Sequence, residues 1–453
     1  MLLDLEIRKW LGRVASAFAD QGLFGASGFL LNILLARWLP SDQYGAYALA
    51  FSIYLIIAGL ETALLLEPMS VFGPASYKNA LPDYLGRLIP LHFAVTLALG
   101  LSVGVGATLF GAYLKSSDLS SALWGVSLGS PWILLFWLWR RAAYLDLRPD
   151  VAMRGAALNV FTVLALLALF HALGWLSVFA AFVVQGIAGI AASLPLILSV
   201  RPRLRVAWTD SAMRTVLKQH WTYGRWVILS TIVFWLAGDA YYVIVASTMG
   251  MSDVAAFRAV QNFIKPISQY ITAVTLLLVP WASARFADGA GQSFRRSINR
   301  ITLIFTAGAV AYVAVLIFFG KWLTGFLYGG KYTQFAYLLP LMGLPILLMA
   351  AAEGPSIALR AMQAPSEIFR AYAMAALPTI LAGVALTRNW GLMGAALGLA
   401  ISSFAFLAVI TYRYRTRLEK EINVRQESGS DFAHQNLRVS GSKLNRAYNQ
   451  NTT

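Results

Sequence analysis

The 453-residue sequence contains no cysteine and only four histidines, and charged residues make up only 12% of it. The absence of cysteine excludes disulfides, thiolate catalysis and cysteine-ligated metal sites. The histidines are scattered singly, so they predict no metal-ligating cluster. Soluble domains usually carry about 25% charged residues, and this low charge therefore argues against a soluble protein.

The low content of charged residues is matched by a high content of apolar ones, since 58% of the chain is hydrophobic. Apolar runs of about twenty residues recur, and each is long enough to cross about 30 Å of hydrocarbon. The predicted fold class is an all-α polytopic membrane protein. Twelve helices are predicted, centred near residues 26, 55, 98, 131, 165, 188, 236, 268, 310, 344, 379 and 402.

The distribution of positive charge predicts the orientation in the membrane. Most of the 36 Lys and Arg residues fall at one set of helix ends, which includes the segment 201–225 and the chain after Arg413. Such residues collect in cytoplasmic loops, so both termini are predicted to be cytoplasmic. The same bias explains the net charge of +16. No basic stripe interleaves with aromatic residues in a soluble segment, and no nucleic-acid partner is predicted.

Composition and spacing divide the chain into five parts. They are an interfacial segment (1–14), a six-helix lobe (15–200), a cytoplasmic loop (201–225), a second six-helix lobe (226–415) and a polar tail predicted to be disordered (416–453).

The two lobes resemble each other in sequence. "SDQYGAYALA" from Ser41 aligns with "SDVAAFRAVQ" from Ser252, and Pro68 aligns with Pro280 at nearly the same offset. A repeat of six helices keeps the orientation, so the lobes are predicted to be related by an axis along the membrane normal, as in some transporters.

The eighth predicted helix carries Arg258, Gln261 and Lys265 at spacings of three and four, which places them on one stripe. Charges inside a membrane are costly and by default face a cavity. One interpretation is a cationic wall that binds an anionic group, such as a pyrophosphate or an acidic sugar. The alternative is that Arg258 lies near the membrane boundary and extends its charge to water.

Acidic residues inside the spans are candidates for ion coupling or for counter-ions. Asp239 is either a proton or sodium site, or the structural counter-ion of Lys265 or Arg258. Glu61, Asp20 and Glu353 are weaker candidates, since acids near span ends are often interface anchors. A basic cluster around the fourth and fifth helices follows from positive-inside bias and would also attract a lipid headgroup; its members are Arg140, Arg141, Arg148 and Arg154.

No enzyme activity is predicted. "GFLYGGKY" at 325–332 fits the P-loop spacing, but Tyr332 stands where magnesium binding needs Ser or Thr. No other catalytic motif and no long loop outside the membrane is present, so any work is expected to draw on a gradient of H⁺, Na⁺ or substrate. No cofactor is predicted.

Three stretches resemble bacterial polysaccharide flippases, the polysaccharide-transporter branch of the multidrug/oligosaccharidyl-lipid/polysaccharide (MOP) exporter superfamily. They are "NILLARWLPSDQYGAYALAFSIYLI" (32–56), "WLAGDAYYVIVASTMGMSDVAAFRAVQ" (235–261) and "GFLYGGKYTQFAYLLPLMGL" (325–344). The resemblance implies two six-helix lobes around a V-shaped cavity. It also implies a cationic cavity and an acid in the seventh helix, positions that Arg258 and Asp239 occupy here.

By this resemblance, the function is the transfer of undecaprenyl-diphosphate-linked oligosaccharides across the bacterial inner membrane by alternating access. Membrane lipids and a polysaccharide polymerase or other assembly proteins are the implied partners. One alternative is a multidrug or cation antiporter of the same fold, and another is a non-enzymatic component of a polysaccharide synthase complex. A lipid II flippase would add two helices that the sequence lacks, and a glycan polymerase would need a large extracytoplasmic loop.

Overall fold

A computed structural model describes residues 2–113, 116–146, 148–204, 210–288 and 291–450. Within these ranges the chain consists of helices joined by short connections, without strands. The N-terminal lobe contains α1 (Leu2–Trp38), α2 (Ser41–Glu61), α3 (Glu67–Ser76), α4 (Leu81–Tyr113), α5 (Ser117–Leu145), α6 (Pro149–Ala172) and α7 (Val178–Val200). The C-terminal lobe contains α8 (Ser211–Gly238), α9 (Ala240–Thr248), α10 (Met251–Gln261), α11 (Lys265–Asp288), α12 (Gln292–Tyr328), α13 (Leu339–Ala361), α14 (Pro365–Pro378) and α15 (Val384–Gln450).

Several helices join into longer spans through irregular turns. A π-helical turn, Thr62–Leu66, links α2 to α3. A 3₁₀ turn, Asn262–Ile264, links α10 to α11, and a second π-helical turn, Thr379–Gly383, links α14 to α15. Each of these turns tightens or widens the backbone without ending the span.

The described chain has nine helices that are long and apolar enough to cross a membrane, and α8 with α9 forms a tenth, bent by 42°. One of the nine, Ser366–Asn423, is 58 residues long, which at 1.5 Å per residue is far more than one membrane thickness. Its helix α15 breaks at Gly391, where φ is +58°, so it accounts for two crossings. The segment of α10 and α11 does not meet this criterion, and it carries the charges of Arg258 and Lys265. Counted as a crossing, it gives the predicted number of twelve, with which the structure is roughly consistent.

The two repeated segments begin corresponding helices, α2 and α10, and these pack against each other between the lobes. They approach closely at Gly45, where an added Cβ would lie 1.8 Å from the carbonyl oxygen of Met251. Only glycine fits at this contact, which lies near the α1–α2 and α9–α10 connections.

Helix α8 is the first helix of the C-terminal lobe, but it also contacts the N-terminal lobe. His220 Nδ1 lies 2.8 Å from the Leu64 carbonyl oxygen in the π-helical turn, and Trp235 Nε1 donates to the Ser52 carbonyl oxygen at 2.8 Å. The bend at its end therefore falls between the two lobes.

The last helix, α15, is helical as far as Gln450. Leu418 of this helix is still buried in the bundle. The disorder expected for residues 416–453 stays a prediction.

Candidate binding cavity

Two connected spaces lie between the lobes. The first, here called the inner cavity, has a volume of about 600 Å³. The second, here called the vestibule, has about 1380 Å³ and reaches the start of α8 at Lys218. Both spaces are lined by the same five residues where they meet, namely Leu55, Trp137, Phe234, Asp239 and Tyr372.

Arg258 projects from α10 into the inner cavity and is only 3% exposed. Its Nε donates to Asn32 Oδ1 on α1 at 3.0 Å, and its Nη1 donates to the hydroxyl of Tyr242 at 2.8 Å. The buried Nη2 has no hydrogen-bond partner. A buried charged donor without an acceptor is costly, and this nitrogen is therefore available to an acceptor group that enters the cavity.

Lys265 lines the same cavity from the first turn of α11. Its Nζ has no hydrogen-bond acceptor among the described residues, and it lies 5.3 Å from the ring centroid of Phe51. The guanidinium carbon of Arg258 lies 4.9 Å from the same centroid. One aromatic ring of the N-terminal lobe thus faces both cations, which gives each a cation–π contact.

Gln261 also lines the inner cavity, and its Oε1 accepts a hydrogen bond from Tyr242. The three residues of the predicted stripe therefore meet in one place. The stripe is not one continuous α-helix, because the 3₁₀ turn falls between Gln261 and Lys265, just before Pro266. The burial of Arg258 shows that its charge does not reach water at the membrane boundary, as the alternative interpretation required.

Asp239 lies at the 42° bend between α8 and α9 and lines both spaces. Among the described residues, no ion pair within 4.0 Å joins it to Arg258 or Lys265. Its carboxylate shares their electrostatic field, but it does not neutralise either cation by direct contact. The site therefore contains one acid, Asp239, and two cations that form no direct ion pair with it.

A polar and aromatic cluster lies next to the cavity-lining part of α10 and connects it with α2 and α12. Asn262 Nδ2 donates to the hydroxyl of Tyr44 at 2.9 Å, and the Tyr328 hydroxyl donates to the Ala259 carbonyl oxygen at 2.9 Å. Lys331 donates to the carbonyl oxygens of Ala36 and Leu39 at the end of α1. These contacts are here called the seal. The bonds of Asn262 to Tyr44 and of Lys331 to α1 join the two lobes, whereas the Tyr328–Ala259 bond lies within the C-terminal lobe.

Residues 151–337 match a protein family described as "Polysaccharide biosynthesis protein", whereas no curated protein matches the sequence. The structure is similar to solved structures of the MOP superfamily. An inward-facing multidrug resistance MATE transporter is 15% identical, with a TM-score of 0.72 and coverage of 88% of this chain and 95% of that chain. The lipid II flippase MurJ, in an inward closed conformation, is 14% identical, with a TM-score of 0.71 and coverage of 89% and 87%.

A third structure is a MOP superfamily transporter from Pyrococcus furiosus, whose binding pocket is described as having reverse polarity. It is 14% identical, with a TM-score of 0.62 and coverage of 90% of this chain and 94% of that chain. This chain has the MOP fold. The fold is the one that the resemblance predicted, the family match agrees with a role in polysaccharide biosynthesis, and the chain is a multi-pass membrane protein.

The other predicted acids lie away from the two described spaces of this MOP fold. Glu61 and His92 are both fully buried, and Glu61 Oε1 lies 2.7 Å from His92 Nδ1. His92 Nε2 lies 3.0 Å from the Pro131 carbonyl oxygen, so that nitrogen carries a proton. Because a carboxylate and a bare imidazole nitrogen repel, the Glu61–His92 contact holds a proton too.

Asp20 and Glu353 each have partners of their own. Arg140 donates two hydrogen bonds of 2.7 Å to the Asp20 carboxylate, and the Tyr144 hydroxyl donates a third at 2.6 Å. Glu353 accepts from Thr275 at 2.9 Å and lies 3.9 Å from Arg360. Asp20 is thus a fully satisfied buried acid that ties α1 to α5.

The basic cluster is split by this pairing. Arg140 serves the buried Asp20, and Arg141 donates to Ser70 Oγ at 2.9 Å. Arg148 and Arg154 are exposed, and Arg154 lies 3.7 Å from Asp150. Attraction of a lipid headgroup stays a prediction for this surface, with the exposed arginines as the available charges.

Several residues of the site were not predicted from sequence. Asn32 anchors Arg258, Phe51 faces both cations, and Asn159 and Gln185 line the opposite wall. The three amides did carry a signal, because each is an isolated polar residue within an apolar run. Phe51 carried none, since aromatic residues are common throughout the spans.

Proposed function

We propose that this protein is a flippase that moves undecaprenyl-diphosphate-linked oligosaccharides across the bacterial inner membrane by alternating access. The observation that carries the proposal is the pair of cations, Arg258 and Lys265, which present an unpartnered guanidinium nitrogen and an unpaired ammonium in a mostly apolar cavity. A diphosphate supplies the acceptor oxygens that both groups lack.

The shape of the cavity supports the direction of loading. The vestibule is lined by residues from the start of α8, at the end predicted to be cytoplasmic, whereas the seal joins the lobes near the α1–α2 connection. A substrate that loads from the vestibule reaches Arg258 and Lys265 before the seal. Release then requires the lobes to separate at the seal and to close at the vestibule. Both termini are cytoplasmic in this arrangement.

The energy source in this proposal is an ion gradient of H⁺ or Na⁺. Asp239 is the candidate coupling acid of the cavity, because it lies at the bend of α8 and α9 without an ion-pair partner within 4.0 Å among the described residues. A polysaccharide polymerase that consumes the released glycan is the expected partner.

A multidrug antiporter is the second candidate, favoured by the similarity to a MATE transporter and by Asp239. A cationic drug would meet one acid and two cations, however, so the field of the cavity favours an anion. A non-enzymatic component of a synthase complex is the third candidate, and it requires no movement of substrate through the cavity.

The test is deletion of the gene in its host, with complementation by wild type, Lys265→Ala or Asp239→Asn. Deletion is expected to leave lipid-linked repeat units on the cytoplasmic leaflet. Lys265→Ala is expected to lower the rate of transfer by about 10- to 100-fold, since a hydrogen bond to a charged group contributes about 1.5–3 kcal/mol. The measurement is the amount of lipid-linked glycan in each leaflet.

Lys321→Ala, an exposed lysine of α12, is the matched control and should complement fully. Drug efflux is measured in the same strains. If deletion lowers efflux and strands no glycan lipid, the antiporter is correct. If glycan lipid accumulates but Lys265→Ala complements fully at equal protein levels, the cationic site is not the binding site.

A further inference from the structure

The two walls of the inner cavity differ in charge. Its charged lining residues, Asp239, Arg258 and Lys265, all come from the C-terminal lobe. The N-terminal lobe contributes no charged side chain to this lining among the described residues. Its wall consists of apolar and aromatic residues, with the polar groups of Ser27, Tyr54, Asn159 and Gln185.

The hydroxyl of Tyr54 is an unpartnered polar group in this neutral wall. Tyr54 is 2% exposed, lines the cavity, and its oxygen has no hydrogen-bond partner. Buried hydroxyls are normally bonded, so this one is free to serve a ligand. Its ring lies 6.4 Å from that of Trp137, edge to face, which places an aromatic surface beside the free hydroxyl.

The amides complete the set of groups. Asn159 has no hydrogen-bond partner among the described residues, and it offers both a donor and an acceptor. Gln185 also lines the cavity, but its Nε2 already donates to the Ala181 carbonyl oxygen at 3.0 Å. Neutral donors and acceptors beside aromatic faces match a sugar ring, which has hydroxyls at its rim and apolar C–H groups on its faces.

We propose that the N-terminal wall is a subsite for one uncharged sugar, with Tyr54, Asn159 and Trp137 as the residues that recognise it. This inference rests on the proposed function, because the sugar is the one attached to the diphosphate held by Arg258 and Lys265. The subsite excludes an acidic sugar, since its carboxylate would be buried against a wall that offers no cation. The acidic group of the substrate therefore binds only at the C-terminal wall.

The experiment measures the affinity of the purified full-length protein for three kinds of probe. They are farnesyl diphosphate, the same lipid carrying N-acetylglucosamine, glucose or galactose, and the same lipid carrying glucuronic acid. At least one neutral sugar is expected to tighten binding by about tenfold relative to farnesyl diphosphate, which corresponds to about 1.4 kcal/mol. Glucuronic acid is expected to give no gain.

Tyr54→Phe and Asn159→Ala are expected to remove most of the gain from the sugar while leaving the affinity for farnesyl diphosphate unchanged. Tyr54→Phe should not lower thermal stability, because the hydroxyl it removes has no partner in the protein. Asn389→Ala, an exposed asparagine outside the cavity, is the matched control.

The outcomes separate the two proposals. If farnesyl diphosphate binds in a manner that depends on Lys265 but no neutral sugar adds affinity, the subsite is wrong and the proposed function stands. The subsite is also wrong if both variants weaken all probes equally, or if glucuronic acid gains as much as a neutral sugar. If no probe binds the wild type, the proposed function fails and the subsite fails with it.

Discussion

The two walls of the inner cavity come from repeated halves of one chain, yet they offer a ligand opposite chemistry. At corresponding positions of the repeat, the C-terminal wall has Arg258 in α10, whereas the N-terminal wall has the small or aromatic residues of α2. The two halves therefore share their helix arrangement but not the residues that line the cavity. One lobe presents charged groups to the cavity, and the other presents only neutral groups among the described residues.

The walls also differ in how firmly their polar groups are fixed. Arg258 is held by Asn32 and Tyr242, and Tyr242 is held in turn by Gln261. Tyr54 and Asn159 have no such hydrogen bonds among the described residues. A fixed cation suits a diphosphate, which every lipid-linked glycan of this class shares. Unfixed neutral groups suit a sugar that differs from one glycan to another.

The largest effect is expected when a charge is introduced into the neutral N-terminal wall, because this removes the difference in charge between the two walls. Asn159→Asp keeps the shape of the side chain but adds a carboxylate within the same cavity as Arg258 and Lys265. The carboxylate repels a diphosphate and also offsets the cations, so affinity for farnesyl diphosphate should fall by about 30-fold, or about 2 kcal/mol. The measurement is the dissociation constant at low and high salt.

Asn389→Asp serves as the control for the added charge alone, since this residue lies outside the cavity. An unchanged affinity in Asn159→Asp would mean that the anion does not occupy the inner cavity, and the contrast between the walls would then have no role in binding.

The sequence was sufficient for the part of the structure that depends on local pattern. Hydropathy predicted twelve crossings, and helical spacing brought Arg258, Gln261 and Lys265 to one cavity. The crossings and the shared position of the three polar residues both follow from the high cost of polar groups in hydrocarbon. This cost acts on every residue of a span, so it leaves a pattern in the sequence. The 3₁₀ turn at Asn262–Ile264 could not be predicted from the spacing. One short turn rotates the following side chains only slightly, so the spacing of Arg258, Gln261 and Lys265 is the same with or without it.

Partners far apart in sequence were beyond pattern reasoning. Asp20 was predicted as a weak candidate for ion coupling or as an interface anchor, and Arg140 as part of a basic cytoplasmic cluster. The two residues are 120 positions apart in the chain, and the fold pairs them. Glu61 and His92 pair in the same way across 31 residues. A single sequence gives the residue types of such pairs and not their contacts, since the contacts depend on how helices pack.

Variants in the seal test whether the two lobes separate, because the lobes contact each other directly in the seal. Asn262→Leu removes the hydrogen bond to Tyr44 and leaves that buried hydroxyl without a partner, at a cost of about 1–3 kcal/mol. The population open at the seal should rise by about tenfold. Because the chain has no cysteine, Ser268→Cys in the inner cavity can report this opening through labelling by an impermeant thiol reagent from the extracytoplasmic side.

Asn389→Leu in the same Ser268→Cys background controls for the loss of an amide elsewhere. Labelling that stays equally slow in Asn262→Leu would contradict the proposed opening at the seal, and it would indicate that the lobes are held together mainly by the close contact of Gly45 with Met251.

The smallest effect is expected where the lobes meet outside the cavity, at Asp210. Its Oδ1 caps α8 through the backbone N–H of Ala212 at 3.2 Å, and its Oδ2 accepts from Arg87 of the N-terminal lobe at 3.3 Å. The Ala212 N–H, followed by Arg87, lowers the pKa of the Asp210 carboxyl from its ordinary value of 3.8. The carboxylate therefore adds stability above that value, and this stability is lost as the pH falls through the lower pKa of the folded state.

Asp210→Ala should lower the melting temperature slightly at neutral pH, and the difference from wild type should shrink in acid. Asp210→Asn retains the cap without the charge, so its difference from Asp210→Ala should not depend on pH. If the wild type loses no more stability than Asp210→Asn on acidification, the contact with Arg87 contributes nothing. In that case the two lobes depend for their cohesion on the buried contacts alone, because a solvent-exposed ion pair adds little.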